Sequence, residues 1–192
     1  MRNNTLLWFL VAAFLASCSQ QFKETGKSAL PNLDLLRTTT TSTPSSVRKI
    51  SELNGLRDSV EVAGAGKVER DEVLDKLGLF NKPVFADQYE KTIIEDSRSN
   101  LKIERWKAKT SEAPIQRLEI YFNEETKAWY ALKAVFIADN LLFKKEEFIS
   151  VWLDPINARV EEILVAGKQK MFLFKEDHYS IELKLLYSAS NR

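Results

Sequence analysis

The chain has 192 residues, and its 28 Lys and Arg against 27 Asp and Glu leave a formal net charge of +1 at pH 7. That balance offers no basic face for nucleic acid, so none is expected as a partner. Hydrophobic residues make up 44% and charged ones 29%, the composition of an ordinary domain with a core, and a single cysteine leaves no pair for an internal disulfide.

The first element is an apolar run, Leu6 to Leu15, behind one basic residue, Arg2. About 20 apolar residues are needed to cross a bilayer as a helix, and this run is half that. It ends in Leu15-Ala16-Ser17-Cys18: an apolar residue, two small ones and the cysteine. Small side chains suit a signal peptidase just before its cut, and acyl transfer needs a thiol at the new N-terminus.

The stretch resembles a bacterial lipobox. The resemblance implies that residues 1–17 are a signal peptide, that Cys18 carries a lipid, and that the lipid anchors the chain to a membrane. Ser19, not Asp, follows the cysteine, which implies the outer membrane by the enterobacterial sorting pattern. No acidic residue comes before Glu24, unlike the acidic surface-export signals of Bacteroidota lipoproteins. Together these point to the periplasmic face.

Residues 18–67 are expected to be a tether. Ser19-Gln20-Gln21, the run Thr38 to Thr41 and Ser42-Thr43-Pro44-Ser45-Ser46 have little to bury against the entropy of ordering. Leu33, Leu35 and Leu36 form a small apolar interruption. Val47, Ile50 and Leu53 have helical spacing behind Ser46 as a cap, with Asn54-Gly55 to end the turn. Asp58-Ser59-Val60 resembles the acceptor of Bacteroidota O-glycosylation, which makes Ser59 a candidate glycan site. Ala63-Gly64-Ala65-Gly66-Lys67 imitates a phosphate loop. It fails because Glu61 stands where the first glycine belongs and Val68 where Ser or Thr should be.

The expected domain spans residues 68–192. Val73, Leu74, Leu77 and Phe80 give Glu69–Phe80 one apolar helical stripe. Glu69, Asp71 and Glu72 lie in its first turn, and Asn81 and Pro83 stop it. From Val84 the period shifts to two. Leu118, Ile120 and Phe122 alternate with Arg117, Glu119 and Tyr121, and Tyr179 to Tyr187 does the same. Turn chemistry recurs at Asn123-Glu124-Glu125, Asp139-Asn140, Asp154-Pro155, Gly167 and Glu176-Asp177. This predicts an antiparallel meander of about seven or eight strands, a curved sheet or partial barrel, with the amphipathic helix on it. The fold class is thus β-rich α+β. Asp139-Asn140 is expected to take positive φ in a tight hairpin. Ala128 to Ala138 is apolar on both faces, as in a central strand covered on both sides by the helix and by a second sheet layer, a barrel interior or a ligand. Trp129 on this strand is expected in the core.

The chemistry-bearing residues are sparse. His178 is the only histidine, and Ser180 shares its strand face instead of opposing it, so no Ser-His-Asp arrangement is read there. One histidine and a lipidated cysteine make no zinc set, and no cofactor is implied. Glu124-Glu125, Glu146-Glu147 and Glu161-Glu162 read as solvated faces and turns, although two acids of a glycosidase meet only in space. Trp106, Trp129, Trp152, Phe172, Phe174, Tyr179 and Tyr187 are expected in strands and mainly in the core.

A greasy cavity beneath such a sheet would be similar in architecture to the periplasmic lipoprotein carriers. Asn81-Lys82-Pro83-Val84 and Gly167-Lys168-Gln169-Lys170-Met171 resemble stretches of uncharacterised Bacteroidota lipoproteins, which implies a cell address and no activity. The leading functional expectation is a periplasm-facing binding or scaffold module that meets other envelope proteins. Carriage of an apolar ligand comes second and an envelope hydrolase third.

Overall fold

The computed structural model describes residues 44–64, 88–96, 99–157 and 159–187. They form nine strands: β1 (Ser46–Leu53), β2 (Leu56–Ala63), β3 (Tyr89–Asp96), β4 (Leu101–Ala108), β5 (Ile115–Phe122), β6 (Trp129–Asp139), β7 (Phe143–Asp154), β8 (Arg159–Met171) and β9 (Asp177–Leu186). All belong to one antiparallel sheet of order β2-β1-β9-β8-β7-β6-β5-β4-β3. With β2 and β3 at its two edges, the sheet does not close. Cys18, the Leu33 to Leu36 patch and the expected helix Glu69–Phe80 lie outside the described residues.

β3 to β9 are the meander expected after Val84. The count rises to nine because the expected tether supplies β1 and β2, so the sheet begins at Ser46 and not at residue 68. β1 is no helical turn. It pairs with β2 on one side and β9 on the other, and Val47 is buried in the common core. Three apolar residues at helical spacing are a weak signal that two sheet neighbours override. Asn54 (φ 51°) and Gly55 (φ 86°) form the two-residue loop of the β1–β2 hairpin, the positive-φ pair that a primed turn demands. A helix stop and a tight hairpin use the same residue types.

Period two sorts the side chains onto two faces, and one face carries the core. Leu183, Ile163, Val151, Leu132 and Ile120 make one cross-strand row from β9 to β5, and all five are buried. The next row along the strands is Ile181, Val165, Ile149, Ala134, Leu118 and Trp106. Each fully buried aliphatic side chain stabilises the fold by about 1.5–3 kcal/mol.

β6 is apolar on both faces, as expected, and among the described residues its second face is covered in part by neighbouring side chains of the sheet. Ala131, fully buried, lies between Tyr121 and Trp152 in register. Lys133 lays its ammonium over both rings, 4.7 Å from the centroid of Tyr121 and 5.1 Å from that of Trp152. Long amphipathic side chains cover apolar surface in this way while the charge stays in water. Beside them Glu119 is buried under Arg105, whose Nε donates to its carboxylate at 2.7 Å. Trp129 is half-buried against the rim of the core, less enclosed than expected, because it begins its strand.

Two expected turns differ. Asn140 does not take positive φ; its side-chain oxygen accepts from the backbone N–H of Leu142 and Phe143 and closes the β6–β7 loop, an Asx turn. Gly167 is no turn residue but lies in the middle of β8.

Candidate functional site

The third row of the core face breaks the apolar pattern. It runs Tyr179, Gly167, Glu147, Phe136 and Ile115 across β9, β8, β7, β6 and β5. Glu147 has odd-numbered parity with Ile149, Val151 and Leu153, so strand geometry turns its carboxylate to the core side, where it is 9% exposed. The expectation of a solvated face holds for Glu146 and fails for Glu147. Such a carboxylate needs partners, because an unpaired buried charge is costly. It has two: the Tyr179 hydroxyl donates to Oε1 at 2.7 Å, and Lys145 Nζ approaches the same oxygen at 2.9 Å.

Gly167 makes that contact possible. A Cβ there would lie 2.6 Å from the carbonyl oxygen of Glu146 and 3.0 Å from the Tyr179 hydroxyl. The missing side chain lets the tyrosine lie across β8 and reach β7. Burial, with the hydroxyl held on a carboxylate, raises the Tyr179 phenol far above its ordinary value.

These groups stand at one wall of an open cleft of about 600 Å³ on the same face. Leu53, Leu56, Val165, Ile181 and the Tyr179 ring supply its apolar lining. Glu147, Lys145, Gln169, Ser51 and Asp58 supply its polar edge. β1, β2, β7, β8 and β9 all contribute, so the cleft depends on the β1–β2 hairpin docking against β9. A volume of this size lies within the roughly 300–1,000 Å³ of small-molecule sites, which combine apolar walls with a few placed polar groups.

Of the other candidates Ser180 borders the cleft, and His178 and Ser59 do not line it. His178 is exposed on β9, its Nε2 3.2 Å from Glu176 Oε1, and its backbone N–H donates to the Asn54 side chain. Ser180 sits two residues on along the same strand, as read from sequence. Ser59 lies on β2 with Asp58 and Val60, all three exposed; its backbone N–H is taken by the Asp58 carboxylate at 2.8 Å. Phe172 and Phe174, expected in a strand, are exposed in the loop after β8. Trp152 is 44% exposed on the face away from the core, while Trp106 is buried as expected. Among the described residues no three His, Cys, Asp or Glu side chains converge as a metal site, and no helix is long and apolar enough to cross a membrane. No protein-family model, curated protein sequence or solved structure matches the chain.

Glu147, Gly167 and Tyr179 were not singled out as a site by the sequence. The signal that would have found them is parity. Each stands in step with the apolar residues of its strand, and a Glu or Gly in that phase is out of place.

Proposed function

We propose that this chain is a lipid-anchored envelope protein whose sheet holds the apolar part of an amphiphilic ligand in the cleft, with the ligand's polar end at Glu147, Lys145 and Tyr179. The observation that supports this reading best is the cleft: an apolar-walled space of about 600 Å³ with one buried carboxylate at its edge. The carboxylate takes a donor from the ligand, the lysine offers a donor to an acceptor, and the phenol oxygen, whose one proton is held by Glu147, accepts, so a hydroxyl or amide head suits the trio. The lipobox at Cys18 supports attachment to the membrane, and Ser19 supports the periplasmic side of the outer membrane.

The experiment is binding of the apolar dye phenylnaphthylamine, followed by its fluorescence. Ser51→Phe puts a ring into the cleft from the β1 wall. The expected result is saturable binding that the variant weakens at least tenfold, with an unchanged unfolding midpoint. No binding, or binding indifferent to Ser51→Phe, removes the ligand reading.

The scaffold reading rests on a different observation. All eight residues of the edge strand β2 are exposed, and such an edge accepts a partner strand by backbone pairing. Loss of a co-purifying envelope protein on Ser59→Pro, with dye binding retained, would favour it. The hydrolase reading draws on Glu147 and Asp58, which both border the cleft, and release of product from a chromogenic glycoside with loss on Glu147→Gln would favour that.

A further inference from the structure

Beyond the cleft, along the same strands, the sheet ends in two loops that carry a run of exposed large apolar side chains. In the β6–β7 loop Leu141 is 88% exposed and Leu142 stands beside it; in the β8–β9 loop Leu173 is 87% exposed between Phe172 and Phe174. Met171 completes the set. The two loops are one body, because the Phe172 N–H donates to the Leu142 carbonyl at 2.9 Å. Soluble surfaces scatter single apolar residues, but a contiguous group of six large ones marks a contact.

The loop backbone adds a second observation. The Phe174 N–H donates to the Met171 carbonyl at 3.0 Å, closing a tight turn, and Leu173 in it has φ 70°. Glycine or asparagine is the usual residue at such a position. A leucine there is strained and contributes little to the core, so its side chain serves something outside the fold.

Charge indicates what that is. Residues 140–144 and 170–175 carry Lys144, Lys170 and Lys175 and no acid. Asp139 stands level with Lys144, its register partner, and Glu176 directly follows Lys175, so the apolar tip itself carries no acid and a net positive charge of one remains at the level of the lysines. Lys144 reaches across to Asp139 at 3.2 Å. Apolar tips with lysines a residue or two behind them match a lipid surface: hydrocarbon in front, phosphate at the level of the ammonium groups.

We infer that the paired loops Asn140–Lys144 and Lys170–Lys175 are a membrane-docking tip that inserts its leucines and phenylalanines into the headgroup boundary of an anionic lipid leaflet. This goes beyond the ligand reading and does not depend on it. Glu147 lies four residues along β7 from Phe143, about 13 Å at strand rise, so docking would place the cleft just above the lipid.

The test uses the full chain with Cys18→Ser, which removes both the lipid and the only native thiol. Leu173→Cys then gives a unique site for the environment-sensitive fluorophore NBD, and Ser59→Cys on the far edge strand is the control. Both labels sit at exposed positions, so the fold tolerates them. On phosphatidylcholine vesicles containing phosphatidylglycerol, the label at 173 is expected to brighten several-fold and shift to the blue, and the label at 59 to stay as in water. Lys170→Glu with Lys175→Glu is expected to weaken this response at least tenfold in lipid concentration. A label at 173 that stays aqueous overturns the inference, whether or not the chain binds vesicles. Equal brightening at 59 means unspecific adhesion and overturns it too. Brightening with protein concentration in the absence of lipid would mean that the tip meets a second copy, and would replace the membrane as its partner.

Discussion

Gly167→Ala is a small change with a sign that the structure decides. In an average strand the substitution stabilises by roughly 0.5–1 kcal/mol, because alanine loses less backbone freedom on folding. Here the new methyl would sit 2.6 Å from the Glu146 carbonyl oxygen and 3.0 Å from the Tyr179 hydroxyl. The first neighbour is backbone of the adjacent strand and moves only with β7. The second moves only by leaving Glu147. Overpacking of this kind costs about 1–3 kcal/mol, and a displaced hydroxyl gives up a bond to a charged acceptor worth about 1.5–3 kcal/mol. The clash wins, with a net loss of about 1.5–5 kcal/mol after the gain in chain entropy. Urea unfolding of the two chains is the assay. At an m-value of about 1–3 kcal/mol per molar, the midpoint falls by about 1–2 M. The cause is separable by repeating the change in a Tyr179→Phe background. Where the hydroxyl is displaced, the double variant loses less than the sum of the singles, with a coupling of about 0.5–3 kcal/mol. A variant at least as stable as the parent refutes the close approach, and additive losses refute the part given to Tyr179.

Four further outcomes follow from the same structure. Tyr179 has a raised folded pKa, first through burial and then through Glu147, so its share of stability is full below about pH 10 and is lost as pH rises further; Tyr179→Phe should flatten the alkaline limb of stability against pH. Asp154 also feels burial, which raises its pKa, but the Asn157 side chain, the backbone N–H groups of Ile156 and Asn157 and the Arg159 charge outweigh it and leave a lowered value. Its contribution is present above about pH 4 and fades as pH falls through the folded value, and Asp154→Asn should reduce acid sensitivity in the same titration. Trp129→Ala should cost less than the roughly 3–5 kcal/mol of a fully buried aromatic, because Trp129 is half-buried; a loss in that full range by chemical denaturation would place it deeper than its strand-end position does. Cys18→Ala should abolish labelling by radioactive fatty acid, and a mutant still labelled would end the lipobox reading.

Local order in this chain was legible from the residues alone. Strict alternation in Leu118 to Phe122 and Tyr179 to Tyr187 announces strands, and the parity within each strand sorts its side chains into a core face and a water face, because successive Cβ atoms point to opposite sides. The turns at Asn123 and Asp154 follow from side chains that cap their own backbone. Chemistry confined to neighbours in sequence was readable; chemistry between distant strands was not. Period two fixes which side a residue faces and says nothing of which strand lies beside it or in what register. Only the tertiary structure brings β1 against β9, turns an expected tether into the wall of a cleft and sets Glu147, Gly167 and Tyr179 in one row. The same freedom explains Gly167: glycine ends a strand or admits a neighbour's ring for one reason, its missing Cβ, and the choice rests with a tyrosine on another strand. Phe172 and Phe174 show the converse. Their apolar character predicted burial, and the backbone turn at Met171–Phe174 instead carries them out to the tip, because hydrophobicity specifies removal from water but not what removes them.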